Sequence, residues 1–266
     1  MTWVADSNGT VVGMKETTGL PVSSYARVHG VWVTSATGKV VGVGVRSLGS
    51  GPSLGAHARY VSLLAEPTGL GYLLIGSNGS VHAFGDAKSY GSAKGATVVG
   101  ATLTAGGRGY LLLLAGGGIK SFGDATSYGS THHQSVVVVD ITPSSKEYMM
   151  FLSDGAVKAF GDAKSLGSVR GESVTAGAID SSGNGYYLLS ADGDVHHFGN
   201  ATYFGSTTAL GYSLVPAAIA VISGADGYLE LATNGTFFAF GPGTTAYAQA
   251  NRSVVSGTAI GIGLEP

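Results

Sequence analysis

Cysteine is absent from this sequence. Disulfide staples, thiolate zinc clusters and a thiol nucleophile are thereby excluded. Charge is scarce as well: Asp, Glu, Lys and Arg together make 11% of the chain, and the formal net charge is −2. The 14 basic residues are spread without forming a stripe, so the electrostatic footprint of a nucleic-acid binder is missing. No apolar run nears the ~20 residues needed to cross a bilayer, so no membrane insertion is expected. The opening "MTWVADSNGT" has neither a basic n-region nor an apolar h-region, and no signal peptide is expected in this chain. Nor does any stretch sustain a 3.6-residue apolar period, so helix should be nearly absent.

Glycine is what the chain has in excess, 45 of 266 residues. Proline is ordinary at 7 and there is no Gly-X-Y period, so the excess points to tight turns rather than to collagen. With 44% apolar residues the chain can build a core, and residues 1–266 are expected to form one domain.

The turns recur. "GYLLIGSNGSVHAFGDAKSYGS" (71–92) returns 38 residues later as "GYLLLLAGGGIKSFGDATSYGS". Aligned on the aromatic that opens the apolar run, the units begin at Trp3, Trp32, Tyr72, Tyr110, Tyr148, Tyr186 and Tyr228. About six residues after each aromatic comes a turn dipeptide: Asn8-Gly9, Thr37-Gly38, Asn78-Gly79, Gly116-Gly117, Asp154-Gly155, Asp192-Gly193 and Asn234-Gly235. Asn-Gly and Asp-Gly suit type I′ hairpins, in which both central residues take positive φ.

One unit reads as a first strand (97–105), a turn, a doubly apolar second strand (110–115), a third strand (119–124) and a short extended piece (125–130). Units of 38–42 residues built this way predict an all-β fold, a seven-bladed β-propeller. The tail "SVVSGTAIGIGLEP" (253–266) reads as a first strand without a second, while residues 1–12 supply a second and third without a first. The expectation is therefore that the C-terminal strand closes the ring by pairing with the N-terminal segment.

The wording "FGDAKSYGS", "FGDATSYGS", "FGDAKSLGS" and "FGNATYFGS" resembles a repeat common in secreted and surface proteins of actinobacteria. The match is clear over residues 71–206 and fades to either side. In layout the units are remotely similar to regulator-of-chromosome-condensation-type propellers. The resemblance implies a repeat-built module, secreted or at the cell surface, and assigns no catalytic residues.

Residues that recur are read as scaffold: Phe84, Phe122, Phe160, Phe198 and Phe240 in the third strand, and Asp86, Asp124 and Asp162 as turn residues accepting their own backbone N–H bonds. "GDAKSYG" offers one carboxylate, too few oxygens for a calcium loop. "GPSLG" (51–55) fits G-x-S-x-G but lies in a connection, not a strand-to-helix elbow, so Ser53 is not expected to be a nucleophile. The pairs His132-His133 and His196-His197 sit on opposite faces if in strands, which argues against one metal. Glu230, whose counterparts are Leu74, Leu112, Met150 and Leu188, is expected to face solvent, the channel or a partner. No catalytic residue, metal or cofactor is expected.

The connections between units do not agree with one another. If each unit crosses its sheet an even number of times, they emerge on the face that carries the hairpin turns. The candidate ligand-binding residues there are His57, Arg59, His132, His133, Arg170, Glu172, Tyr212, Asn251 and Arg252, with Lys94 and Gln134 nearby. That mixture suits recognition. The expected function is a non-enzymatic, monomeric module that binds a glycan or a protein. The alternatives are a polysaccharide hydrolase or lyase and a ligand-free spacer. The predicted channel strands, mostly Val, Ala, Gly and Thr with Asp140 and Asp180 as exceptions, are poor in the groups chemistry needs.

Overall fold

The computed structural model describes residues 2–5, 11–15, 31–43, 45–222, 227–241 and 259–264, with side chains described over 31–42, 45–222 and 227–241. The fold is all-β, and no helix occurs among the described residues; in particular, none is long and apolar enough to cross a membrane. Among the described residues, twenty strands form one two-stranded and six three-stranded sheets, all antiparallel.

The first sheet pairs β1 (Thr2–Ala5) with β2 (Val11–Lys15). β3 (Val31–Ser35) and β4 (Val40–Val43) follow. The next five sheets are consecutive triplets: β5 (Tyr60–Ala65), β6 (Gly71–Gly76), β7 (Val81–Gly85); β8 (Val98–Leu103), β9 (Gly109–Leu114), β10 (Ile119–Gly123); β11 (Val136–Ile141), β12 (Glu147–Leu152), β13 (Val157–Gly161); β14 (Val174–Ile179), β15 (Gly185–Ser190), β16 (Val195–Gly199); β17 (Pro216–Val221), β18 (Tyr228–Ala232), β19 (Phe237–Phe240). β20 (Ala259–Leu264) pairs with β3 and completes its sheet.

That last pairing corrects the expected closure. The C-terminal strand joins Val31–Ser35, not residues 1–12. The reason lies in the spacing. Trp3 and Trp32 are 29 residues apart, whereas the next aromatics are 38–42 apart. The shortfall is about one six-residue strand with its turn, and β20 supplies such a strand to the sheet of Trp32.

The middle strand of each triplet is buried on both faces, as its apolar run requires; β6 is buried at all six positions. Adjacent sheets pack through these strands, and the large rings at their centre, Trp32, Tyr72, Tyr110, Tyr148, Tyr186 and Tyr228, are fully buried. First strands neighbour one another in the order β5, β8, β11, β14, β17, β20, and β20 lies beside β5 again.

The "SYGS" wording has a packing cause. Tyr110 Oη accepts from the backbone N–H of Tyr90 and donates to the carbonyl of Gly91, in the unit before. Tyr72, Tyr148, Tyr186 and Tyr228 donate likewise to Gly49, Gly129, Gly167 and Gly205. Phe122 packs beside Tyr110, and a Cβ on Gly91 would come within 2.5 Å of the Phe122 ring. The return segment, read from the sequence as a short extended piece, carries no strand. Its polar groups are satisfied by a phenol of the next unit instead of by a ladder.

The hairpin turns also differ in detail. Gly79, Gly155 and Gly193 have φ of 78°, 76° and 90°, as expected. Asn78, Asp154 and Asp192, however, are not among the residues with positive φ, so the turns are not type I′. Each is a turn closed at its third bond, Gly79 N–H to Gly76 O, followed by a left-handed glycine. The Asn or Asp is favoured because its side chain accepts from the backbone N–H two residues on: Ser80 to Asn78, Ala156 to Asp154, Asp194 to Asp192.

Candidate functional site

Hairpin turns and inter-unit connections do share one face. Ala93 N–H donates to Gly79 O at 2.9 Å, Thr131 to Gly117 at 3.1 Å, and Val169 to Gly155 at 3.1 Å. Each connection is thus bound to the hairpin it follows.

On this face lies a depression of about 400 Å³ lined by His57, Arg59, Ser77, Thr97 and Val99 among others. Ser77 sets its floor: its N–H donates to Arg59 O at 2.7 Å, its hydroxyl accepts from Arg59 N–H at 3.1 Å, and its carbonyl accepts from Val98 N–H at 2.9 Å. The two basic side chains are exposed, and no ion pair engages either among the described residues. Val61 and Val99 also line a second cavity of about 270 Å³, walled by β5, β8, β11, β14 and β17. A β-bulge at the start of each of these strands, between Tyr60 and Ser62 in β5 and between Val98 and Gly100 in β8, re-aims Val61 and Val99 towards it.

The walls of that cavity are apolar or small, as expected from the first strands. Asp140, next to Val139 on β11 but not in the cavity wall, is the ionisable exception on that strand. Its carboxylate accepts from Thr102 Oγ1 at 3.2 Å and from Ile179 N–H at 2.9 Å, so it ties β11 to both neighbours. Burial pushes its pKa up to about 6, against these hydrogen bonds. Asp180 is buried and braces the β14–β15 turn by accepting from Ser182 Oγ and Asn184 N–H.

The remaining predicted residues are placed less uniformly. His132 and His133 stand exposed in one connection and Arg170 in the next. Tyr212 is exposed and packs its ring 4.8 Å from that of Phe238. Asn251 and Arg252 lie outside the described residues. Glu172 is drawn towards its own sheet: His196 Nε2 lies 2.8 Å from Glu172 Oε2 and 3.1 Å from Ser190 Oγ, and that hydroxyl donates to the same carboxylate oxygen. A Ser-His-acid triad needs the carboxylate and the hydroxyl on opposite ring nitrogens. Here both face Nε2, which makes a brace rather than a nucleophile. His197 points the other way, to the carbonyl of Ala201, in keeping with the alternation expected of a strand.

Glu230 is corrected outright. It is 2% exposed, not at a surface or a mouth. Its Oε2 accepts from Thr207 N–H at 3.3 Å, its Oε1 has no partner among the described residues, and burial pushes its pKa up to about 7. The Asp turns differ too: Asp86 and Asp124 accept from the hydroxyls of Thr68 and Thr104 instead of from their own backbone. Sequence reasoning missed Ser190, which bonds Glu172 from 18 residues away, and Glu66, which meets the like charge of Asp86 20 residues on.

No protein-family model and no curated protein matches the chain.

Proposed function

We propose that the chain is a β-propeller that works as a non-enzymatic, monomeric binding module. Six three-stranded blades enclose the apolar cavity, the hairpin at Trp3 forms a partial seventh unit, and the module recognises a glycan or a protein through the face carrying the connections. The neighbour order of the first strands, returning from β20 to β5, supports the ring. The depression at His57 and Arg59 carries the functional reading: two exposed basic side chains, neither in an ion pair among the described residues, stand beside hydroxyls and an exposed valine, at the edge of the second cavity. Cationic, hydroxylic and apolar groups in one concavity suit recognition. The repeat's resemblance favours a secreted or surface setting.

The enzyme reading is weaker because the carboxylates near the cavity are engaged. Asp140 and Asp180 are held by backbone and hydroxyl donors, and Glu172 by His196.

The test is a glycan array run with the wild-type protein and with His57→Ala/Arg59→Ala, followed by pull-down from cell-wall extract. The double variant should bind at least tenfold more weakly while its stability changes by less than about 0.5 kcal/mol per site. Undiminished binding by the double variant would remove the depression from the function. Hydrolysis or elimination on any arrayed polysaccharide would replace the binding reading with the enzymatic one.

A further inference from the structure

The face opposite the connections carries a repeated pairing of its own. The residue just past each first strand stands 20 positions before the residue that follows "FG": Glu66 and Asp86, Thr104 and Asp124, Thr142 and Asp162, Asp180 and Asn200. In the Thr104 unit the pair is complementary, with the threonine hydroxyl donating to Asp124 Oδ1 at 2.9 Å. That oxygen lies over Gly109, 2.5 Å from where a Cβ would stand. In the Asp180 unit the partner is a neutral amide. The carboxylate now comes from the other member, and Asp180 Oδ2 lies over Gly185 at 2.7 Å from the Cβ position. Ser182 and Asn184 donate to its other oxygen. Each of these niches thus holds one carboxylate with its own donors.

The first of the four pairs breaks the rule. Asp86 Oδ1 fills the niche over Gly71, at 2.6 Å from the Cβ position, and is served by Thr68. Glu66 stands at the sequence position where the next unit has a threonine donor, and it adds a second carboxylate whose charge opposes that of Asp86. It is 7% exposed, and its Oε1 has no hydrogen-bond partner among the described residues. Its Oε2 occupies space left only because residue 107 is glycine, since a Cβ there would approach it to 2.1 Å. Backbone bonds hold the two together: Glu66 N–H to Gly71 O, and Asp86 N–H to Leu70 O. No ion pair involves either residue among the described residues. Two neighbouring carboxylates, one of them buried, lack a positive charge.

We propose that this turn is a calcium site, with Glu66 and Asp86 as the charged ligands and the Thr68 hydroxyl as a neutral one. Every donor is oxygen, which selects a hard cation. Asp86 and Thr68 are exposed, so water can complete the six to eight ligands that Ca²⁺ accepts in irregular geometry, whereas Mg²⁺ demands a near-ideal octahedron. With two charges and an open side, the dissociation constant should fall at about 10⁻⁴–10⁻³ M. No such site was expected from "GDAKSYG", because its second carboxylate comes from the turn 20 residues earlier.

The test uses the whole protein stripped with a chelator. Thermal unfolding is followed over roughly 0.1–10 mM CaCl₂, and Tb³⁺ emission is read with tyrosine excitation. Wild type should gain stability with calcium, less with magnesium, and show Tb³⁺ emission that calcium displaces. Glu66→Thr, which restores the pairing of the next unit, should lose both responses, while Asp124→Asn should keep them. If Glu66→Thr does not fold, the isosteric Glu66→Gln decides in its place. A wild type without calcium response, or a Glu66 variant with the full response, would overturn the site and leave a shared proton as the answer to the missing charge.

Discussion

Two consecutive connections solve the same problem with different groups. After the hairpin at Asp154-Gly155, the chain runs through residues 168–173: Val169 N–H donates to Gly155 O, Gly171 N–H to Asp154 O, and Leu188 of the next unit is buried behind them. After the hairpin at Asp192-Gly193, the chain is four residues longer, since Tyr186 and Tyr228 are 42 apart rather than 38. The extra residues form a turn at 207–211, and the backbone bond to Gly193 O stretches to 3.5 Å, from Thr208. Hydroxyls take over: Thr207 Oγ1 donates to Gly193 O and Thr208 Oγ1 to Asp192 O. The N–H of Thr207 is left over, and Glu230 receives it where the four preceding units have Leu74, Leu112, Met150 and Leu188. The odd carboxylate is thus the complement of an insertion.

Glycine substitution should separate the two arrangements most sharply. At Gly155 a Cβ would meet Val169 O at 2.3 Å, backbone that cannot step aside. At Gly193 it would meet the side-chain oxygens of Thr207 and Thr208 at 2.7 and 3.1 Å. Both positions have positive φ. Gly155→Val should therefore destabilise by ~3 kcal/mol or more, combining left-handed strain with overpacking, and Gly193→Val by ~1–2 kcal/mol. Urea unfolding measures both, and equal losses would show that the two connections are equally rigid.

The pH dependence comes next in size. Burial raises the pKa of Glu230 in the folded protein to about 7, above the ordinary 4.5. A raised folded pKa means that the protonated form is favoured by folding. The contribution is full below about 4.5 and is lost as pH rises through about 7. Relative to Glu230→Gln, wild-type stability should fall by up to ~3 kcal/mol between pH 4.5 and 8. Asp140 titrates in both proteins and cancels in the difference. A flat difference curve would mean that Glu230 is not buried as an acid.

Replacing Glu230 by Leu, the residue at 74, 112 and 188, should destabilise by ~1–3 kcal/mol at pH 5, because Thr207 N–H loses its acceptor. Glu230→Gln keeps an acceptor and should change little. Smallest of all should be the net effect of a joint change, in which the sequence 169–173 replaces residues 207–215 together with Glu230→Leu. Each half alone leaves a polar group unpartnered, but the two together restore the regular unit, so the double change should lie within ~1 kcal/mol of wild type. Strict additivity would refute the coupling between insertion and carboxylate.

Much of this architecture was legible because it is periodic. The strand starts, the left-handed hairpin glycines and the buried aromatic column follow from residues that return every 38 positions. What escaped was set by a departure from the period and could be located only with partners in view. The 29-residue step between Trp3 and Trp32 marked the gap that β20 fills, yet matching the chain's two ends pointed elsewhere. Glu230 could be seen as odd, but its burial depended on where Thr207 fell after the insertion. On the candidate face His57 and Arg59 are exposed, whereas the link from Glu172 to His196 needed the fold.

The pairing of Ala259–Leu264 with Val31–Ser35 has a consequence in time. Each tyrosine clasp needs only the unit before it, so successive units can lock while the polypeptide is still being synthesised. The sheet of Trp32 cannot. It waits, two strands wide and with an open edge, until the strand near residue 260 has left the ribosome. A nascent chain halted anywhere earlier would expose that edge to its neighbours on the polysome, and a chaperone that shields unpaired strand edges would find its substrate there.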